Sequence, residues 1–173
     1  PEYLIRDPED PDTVSVVKER HLRNPKCWHC TELNLKFMDN VAKAVGGYQP
    51  LYQAGIIVGY LMSEKLFPQR FQFIRLISIV QFLRAVNWVN SKLNKTKNPY
   101  LLDFGSDYAL INLNYYRKFY HRVSKSVCDW NRGVYTGIGK FMNCRDLDIK
   151  EEQCLVDGDP NCVFRARWQY KSL

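Results

Sequence analysis

Two cysteines eight residues apart, Cys154 and Cys162, flank an Asp157-Gly158-Asp159-Pro160 turn, and Glu151 stands three residues before the first. Asp-Gly is a strong reverse-turn signal, because glycine accepts positive φ and the aspartate side chain bonds the following backbone. Beyond the turn, Cys162, Phe164, Ala166, Trp168 and Tyr170 alternate with Val163, Arg165, Arg167 and Gln169. That alternation predicts a strand with one apolar and one mostly polar face. Residues Arg145 to Leu155 supply the other strand of the hairpin. The fold-back brings two thiols together beside a carboxylate. In a chain with no visible secretion signal, such a pair points to a metal site rather than a disulfide. One geometric demand follows. Glu151 and Cys154 are three apart, so a regular strand would aim them at opposite faces. Both reach one ion only if Cys154 lies in a bulge or at the turn.

Zinc takes four ligands in a tetrahedron, and a set without water marks a structural site. Glu151, Cys154 and Cys162 make three, and spacing leaves Cys128, Cys144, Asp157 and Asp159 open as the fourth.

A chain of 173 residues with 46% apolar and 14% aromatic residues is long enough to bury a substantial core. Lys and Arg number 25 against 18 Asp and Glu, a net charge of +7, but the cations are spread among acids. A nucleic-acid footprint would concentrate them, so the excess reads as a solvated surface. No run of 18 uncharged apolar residues occurs, so no membrane span is expected. Six cysteines without a secretory signal point to a reducing, cytoplasmic compartment, and the start at Pro1 reads as a piece of a longer protein.

Residues 1–25 carry Pro1, Pro8, Pro11 and Pro25 and read as an extended arm or linker, with at most a short strand or helix at Val14–Arg20. Residues 26–173 read as a single domain. Cys27-Trp28-His29-Cys30 has metal-ligand and thiol-redox spacing, yet lacks a partner pair, so two ordinary cysteines at a helix start is the preferred reading. A helix from Thr31 carries Leu33, Phe37, Val41, Ala44 and Val45 on one stripe and stops at Gly46-Gly47. Pro50 opens a second helix with Leu51, Ala54, Val58 and Met62 inward, ended by Pro68, in which Gly55 and Gly59 would admit a close neighbour. Phe71 to Leu93 is apolar nearly all round and predicts a buried helix, packed in the core or lining an apolar cavity. A polar loop from Asn94 to Pro99 precedes a strand, Tyr108–Tyr116, with Ala109, Ile111, Leu113 and Tyr115 on its apolar face. Arg117 to Arg122 is a basic, aromatic turn, and His121 reads as a surface or hydrogen-bonded residue. Lys125 to Met142 predicts a helix whose Gly133 and Gly137 require close packing, since glycine costs helix stability roughly 1 kcal/mol against alanine.

Cys128-x22-Glu151-x2-Cys154-x7-Cys162, with Gly133, Tyr135 and Gly137 on the helix after the first cysteine, resembles the vinyl-4-reductase (4VR) domain family. The resemblance spans about residues 100–170 and is nearest to the sensory domain of phenol-responsive bacterial transcriptional activators. It implies one structural zinc held by Cys128, Glu151, Cys154 and Cys162, beside a pocket for an aromatic effector. It further implies an α+β domain, an antiparallel sheet packed by several helices, in which zinc staples the C-terminal hairpin to a helix. The fold implied is similar to that of TRAPP-complex transport subunits, and a homodimer through the helices is implied with it. Trp88, Tyr108, Trp130, Tyr135 and Phe141 are the candidate ligand-binding residues.

Four functions compete with different chemistry. A regulatory sensory domain would bind a small hydrophobic or aromatic ligand and signal to an attached output domain, with no direct nucleic-acid contact. A TRAPP-like interaction module would hold a lipid permanently. An enzyme, for instance one acting on a tetrapyrrole, is disfavoured: there is no glycine fingerprint for a nucleotide after a strand and no Ser/His/Asp motif. A haem gas sensor is weaker still, because His21, His29 and His121 lack a haem-ligand context. No catalytic residue is assigned.

Overall fold

The computed structural model describes residues 2–6, 14–18, 31–67, 78–93, 97–117, 120 and 123–169. The chain divides into two compact units, Pro1–Asn34 and Leu35–Leu173. The first contains an antiparallel hairpin of β1 (Glu2–Arg6) and β2 (Val14–Lys18), with Leu4 opposite Val16. The arm expected over residues 1–25 therefore holds two paired strands, Tyr3 opposite Val17 and Arg6 opposite Val14.

The second unit is α+β. Its sheet has four antiparallel strands in the order β3 (Tyr100–Phe104), β4 (Tyr108–Asn112), β6 (Val163–Gln169), β5 (Arg145–Gln153). Among the described residues four helices accompany the strands: α1 (Thr31–Ala44), which begins in the first unit's segment, α2 (Gln49–Leu66), α3 (Ile79–Leu93) and α4 (Lys125–Phe141). Ala109 pairs with Ala166, which pairs with Ile149, and Ile111 pairs with Phe164, which pairs with Glu151. Cross-strand partners share a face. The core side of the sheet therefore carries Ile111, Phe164 and Ala166, all buried, and Glu151 with them. Helix α4 contributes Val127, Cys128, Tyr135 and Ile138 to the same core, and α3 contributes Phe82 and Leu83.

Helices α2 and α4 pack backbone to backbone. A Cβ at Gly59 would enter the Val134 carbonyl, and one at Gly137 would enter the Ile56 carbonyl. The glycines expected to admit a neighbour thus face each other. This contact also corrects the predicted inward stripe of α2. The buried positions are Leu51, Gly55, Gly59 and Ser63, whereas Met62 is exposed and Ala54 and Val58 are only half-buried. Small residues define the buried face because α4 comes so near, and the larger apolar residues are displaced from it. Pro50 lies in the first turn of α2, and the helix stops before Pro68, as expected.

Other expectations are corrected too. Phe37 and Ala44 of α1 are exposed, as is Val45 just past its end, Val41 is half-buried, and Ala42 is buried; Leu33 lies outside the residues whose side chains are described. The helix expected over Phe71–Leu93 is described from Ile79 onward, and residues 71–77 lie outside the described residues. It is buried on one side only: Phe82 and Leu83 are inside and Trp88 is 64% exposed. The strand expected over Tyr108–Tyr116 ends at Asn112, but Leu113 and Tyr115 remain buried beyond it. Strand β3, between the Asn94–Pro99 loop and the strand expected from Tyr108, carries no expected element and forms the sheet edge. Among the described residues, no helix is long and apolar enough to cross a membrane.

Candidate metal centre

Four chain segments meet at one point. Cys128 lies in the first turn of α4, where its backbone N–H donates to Ser124 O at 3.2 Å. Glu151 faces inward from β5 by its pairing with Phe164. The β5–β6 register shifts between Glu151 and Gln153, so Cys154 leaves the strand and turns back toward the face that Glu151 occupies. The bulge that strand parity demanded is present.

The hairpin turn then sets the two hairpin thiols. Leu155–Asp157 forms a single 3-10 turn closed by Gly158 at φ 97°, a left-handed conformation that favours glycine. Cys154 O accepts from Asp157 N at 2.9 Å and from Asp159 N at 3.1 Å. Asp159 Oδ2 in turn accepts from Cys154 N at 2.8 Å. Leu155 N–H points at Cys162 Sγ, 3.5 Å away, and Cys162 O accepts from Leu113 N at 3.0 Å.

Cys128 Sγ lies 3.6 Å from Cys154 Sγ and 3.9 Å from Cys162 Sγ. One ligand atom from each of Cys128, Glu151, Cys154 and Cys162 lies within 4.8 Å of all the others. All three thiols are free and buried. A disulfide would hold its sulfurs at about 2.0 Å. Zn–S bonds of about 2.3 Å at a tetrahedral angle place two sulfurs roughly 3.8 Å apart, and the observed spacing matches that value. The carboxylate fits too: Glu151 Oε1 is buried with no hydrogen-bond partner, while Oε2 faces Lys125 Nζ at 3.5 Å. Three thiols and a half-orphaned carboxylate form a donor set that can hold a metal ion.

Electrostatics inside the cluster are unbalanced without a cation. The hydrogen bond from the Cys128 thiol holds Cys162 below the ordinary thiol range against the effect of burial, and Leu155 N–H adds to it. The same bond, with burial, holds Cys128 well above that range. Burial raises Cys154. A metal replaces the shared proton and lets all three become thiolates.

The alternatives for the fourth ligand occupy other places. Cys144 is half-buried on its own, its thiol pushed up by burial to about 11. Asp157 is exposed and pairs with Lys125 Nζ at 2.6 Å, and Asp159 caps the Cys154 backbone. Cys27, Cys30, His21, His29 and His121 lie outside the described residues. Sequence reading missed Lys125, which joins Glu151 to Asp157. A lysine at a helix start carries no local sign of that bridge.

The five candidate ligand-binding residues have separate surroundings. Trp88 is exposed, and Tyr108 donates its hydroxyl to Asp103 Oδ2 at 2.8 Å on the surface. Trp130 is half-buried on α4. Tyr135 is buried and donates to Asn87 Oδ1 at 2.9 Å. Phe141 stacks on Phe82 with ring centroids 5.6 Å apart and meets Tyr60 edge-on at 5.8 Å. Phe67 completes this aromatic group, 4.8 Å from Phe82. Trp88 and Tyr108 thus lie toward the surface, whereas Tyr135, Phe141 and Phe82 pack in the core.

No protein-family model matches the chain, and no curated protein matches its sequence. Solved structures do match its fold. The trafficking protein particle complex subunit 3 from Naegleria fowleri, covalently bound to palmitic acid, aligns with a TM-score of 0.53 and 13% identity, over 81% of this chain and 95% of that one. The H-NOX domain of Shewanella oneidensis in its Fe(II)CO state aligns with a TM-score of 0.58 and 10% identity, over 88% of this chain and 86% of that one. A mutant H-NOX from T. tengcongensis aligns with a TM-score of 0.55 and 16% identity, over 95% and 83% of the two chains. The likeness to transport-complex subunits expected from the sequence holds at the level of the fold. No family model supports the vinyl-4-reductase assignment itself.

Proposed function

We propose that this chain is a regulatory sensory domain of the vinyl-4-reductase type, built around a structural zinc and working in a reducing, cytoplasmic setting. Cys128, Glu151, Cys154 and Cys162 hold the ion and so pin α4 to the C-terminal hairpin. The observation that carries this reading is the convergence of three buried thiols and a carboxylate within 4.8 Å of one another, with Cys128 Sγ 3.6 and 3.9 Å from the other two sulfurs. Four anionic ligands leave the ion little Lewis acidity and no open position, so its role is structural, and in this reading the domain has no enzymatic activity.

The ligand in this proposal is a small hydrophobic or aromatic molecule, received where Phe82, Phe141 and Tyr135 lie between α3 and α4. The neighbours support a binding role, since one carries palmitate and others are H-NOX domains with an iron-bound gas. Occupancy is relayed to an attached output domain, and two copies associate through the exposed side of α2, where Ile57 and Leu61 sit one turn apart.

The palmitate-bound neighbour favours one second reading, a module that keeps a lipid permanently. Metal analysis with native mass spectrometry on the purified protein separates the two. One zinc per chain with exchangeable small ligands supports sensing. A constant co-purifying lipid supports the second reading, and a haem absorption band would overturn both. A protein without zinc whose melting temperature ignores chelators would sink the zinc-centred proposal.

A further inference from the structure

Lys97 is a buried lysine in a stretch the sequence marks as a polar loop. Only 7% of it is exposed. Its backbone bridges to Tyr115, two residues beyond Leu113, whose N–H is bonded to Cys162 O. Its ammonium donates to Asn131 Oδ1 and sits 5.6 Å from the centre of the Tyr115 ring. Asn131 is three residues after Cys128 on α4, held by donation to Tyr115 OH at 3.1 Å and to Val127 O at 2.7 Å. Backbone on one side and Asn131 on the other thus place the cation between the segments that carry Cys162 and Cys128. Among the described residues no carboxylate pairs with it.

A buried ammonium without a countercharge is expensive, and the proposed centre holds the opposite problem. Three thiolates and a carboxylate carry four negative charges against two on a zinc ion, leaving two unbalanced. Lys125 stands beside Glu151 and Asp157 at the rim, at 3.5 and 2.6 Å. We infer that Lys97 is the inner countercation of the metal centre, balancing the thiolates of Cys162 and Cys128 from the buried side as Lys125 balances the carboxylates from the rim. This rests on the zinc reading above and extends it to a residue outside the ligand set. Burial pushes the Lys97 ammonium down to about 8, and the opposing influences on it are the charges of Cys162 and then Cys128.

Zinc competition against a chromophoric chelator tests this on the whole chain, with cobalt(II) as a spectroscopic probe. Lys97→Gln removes the charge and keeps a donor for Asn131. Partners of this kind typically weaken metal binding 10–100-fold when lost, and about that loss is expected here, with the cobalt–thiolate bands unchanged. Lys97→Arg, which keeps the charge, should stay within a few-fold of wild type. Should Lys97→Gln fail to fold, Lys97→Met fills the same volume without a buried charge and takes its place. Zinc affinity equal to wild type in whichever neutral variant folds overturns the inference. Equal weakening in Lys97→Arg also overturns it, since shape rather than charge would then be responsible. A wild-type chain that takes up neither metal instead removes the zinc reading itself.

Discussion

Cys128 Sγ and Cys154 Sγ lie 3.6 Å apart although 26 positions separate them, one on α4 and the other just past a bulge in β5. Neither segment alone brings a thiol to that point. Helix and hairpin are therefore joined by whatever the sulfurs bind, and the first consequence is thermodynamic. A ligand that binds only the folded state at a hundred times its Kd adds about 2.7 kcal/mol, about 5–10 °C in melting temperature for a chain this long. Wild-type protein should lose about that much on chelation. Cys154→Ala should melt at one temperature with or without chelator, below zinc-loaded wild type. Acidification should release the metal as well, because the ligands must be deprotonated to hold it. Differential scanning calorimetry with and without chelator checks each point.

Asp159 is expected to matter without touching the ion. Its Oδ2 accepts the Cys154 N–H at 2.8 Å and keeps the Asp-Gly turn closed around the hairpin thiols. Asp159→Ala should cost about 1 kcal/mol, the usual scale for a lost side-chain cap, and should loosen zinc binding. Asp159→Asn should recover most of both, since its amide oxygen still accepts. Urea denaturation of the three proteins, with zinc titrations alongside, measures the split. An Asn variant as weak as the Ala variant would show that charge, not capping, is what Asp159 supplies.

The helix–helix seam makes a sharper contrast. A methyl at Gly137 meets the Ile56 carbonyl, whereas one at Gly47 meets open space. Overpacking of a tight contact costs roughly 1–3 kcal/mol, so Gly137→Ala should lower stability by at least that much. Gly47→Ala should stay within about 0.5 kcal/mol of wild type. Equal urea midpoints for the two variants would mean that α2 and α4 are not in backbone contact.

The C-terminal half was legible because its signals are local. Asp157-Gly158 announces the turn, residues 162–168 alternate, and strand parity with one shared ion required a bulge or turn at Cys154. Helix α4 could be read from its length, and Gly133 and Gly137 from their cost. The missed features depend on distant neighbours. Strand β3 is a sheet edge with Tyr100, Leu102 and Phe104 exposed, so its pattern carries no buried face. Beyond Leu51 the buried face of α2 is glycine and serine, invisible to a search for apolar stripes. Lys97 looks solvated in sequence and is buried where it meets Tyr115, beyond β4, and Asn131 on α4. Spacing left four residues open as the last ligand, the family resemblance pointed to Cys128, and the fold sets Cys128 beside the hairpin thiols.

The displaced apolar residues of α2 lead to the last prediction. Ile57 and Leu61 are 60% and 53% exposed and stand one helical turn apart, with Met62 and Leu66 exposed farther along. Apolar surface of this extent on one helix marks an interaction face more often than bare surface. Because glycines turn the other side of α2 toward α4, this side is available for a second copy of the chain, and a C2 pairing would lay α2 against its equivalent. Wild-type protein should elute as a dimer at micromolar concentration in light-scattering chromatography. Ile57→Glu should shift it to monomer, since a charge in the centre of such a contact goes unpaired. Its circular dichroism and urea midpoint, measured on the monomeric state, should stay within about 0.5 kcal/mol of wild type, because the position is exposed within one chain. A wild-type chain that is monomeric at every concentration would sink the pairing, and a dimer indifferent to Ile57→Glu would move it to another face.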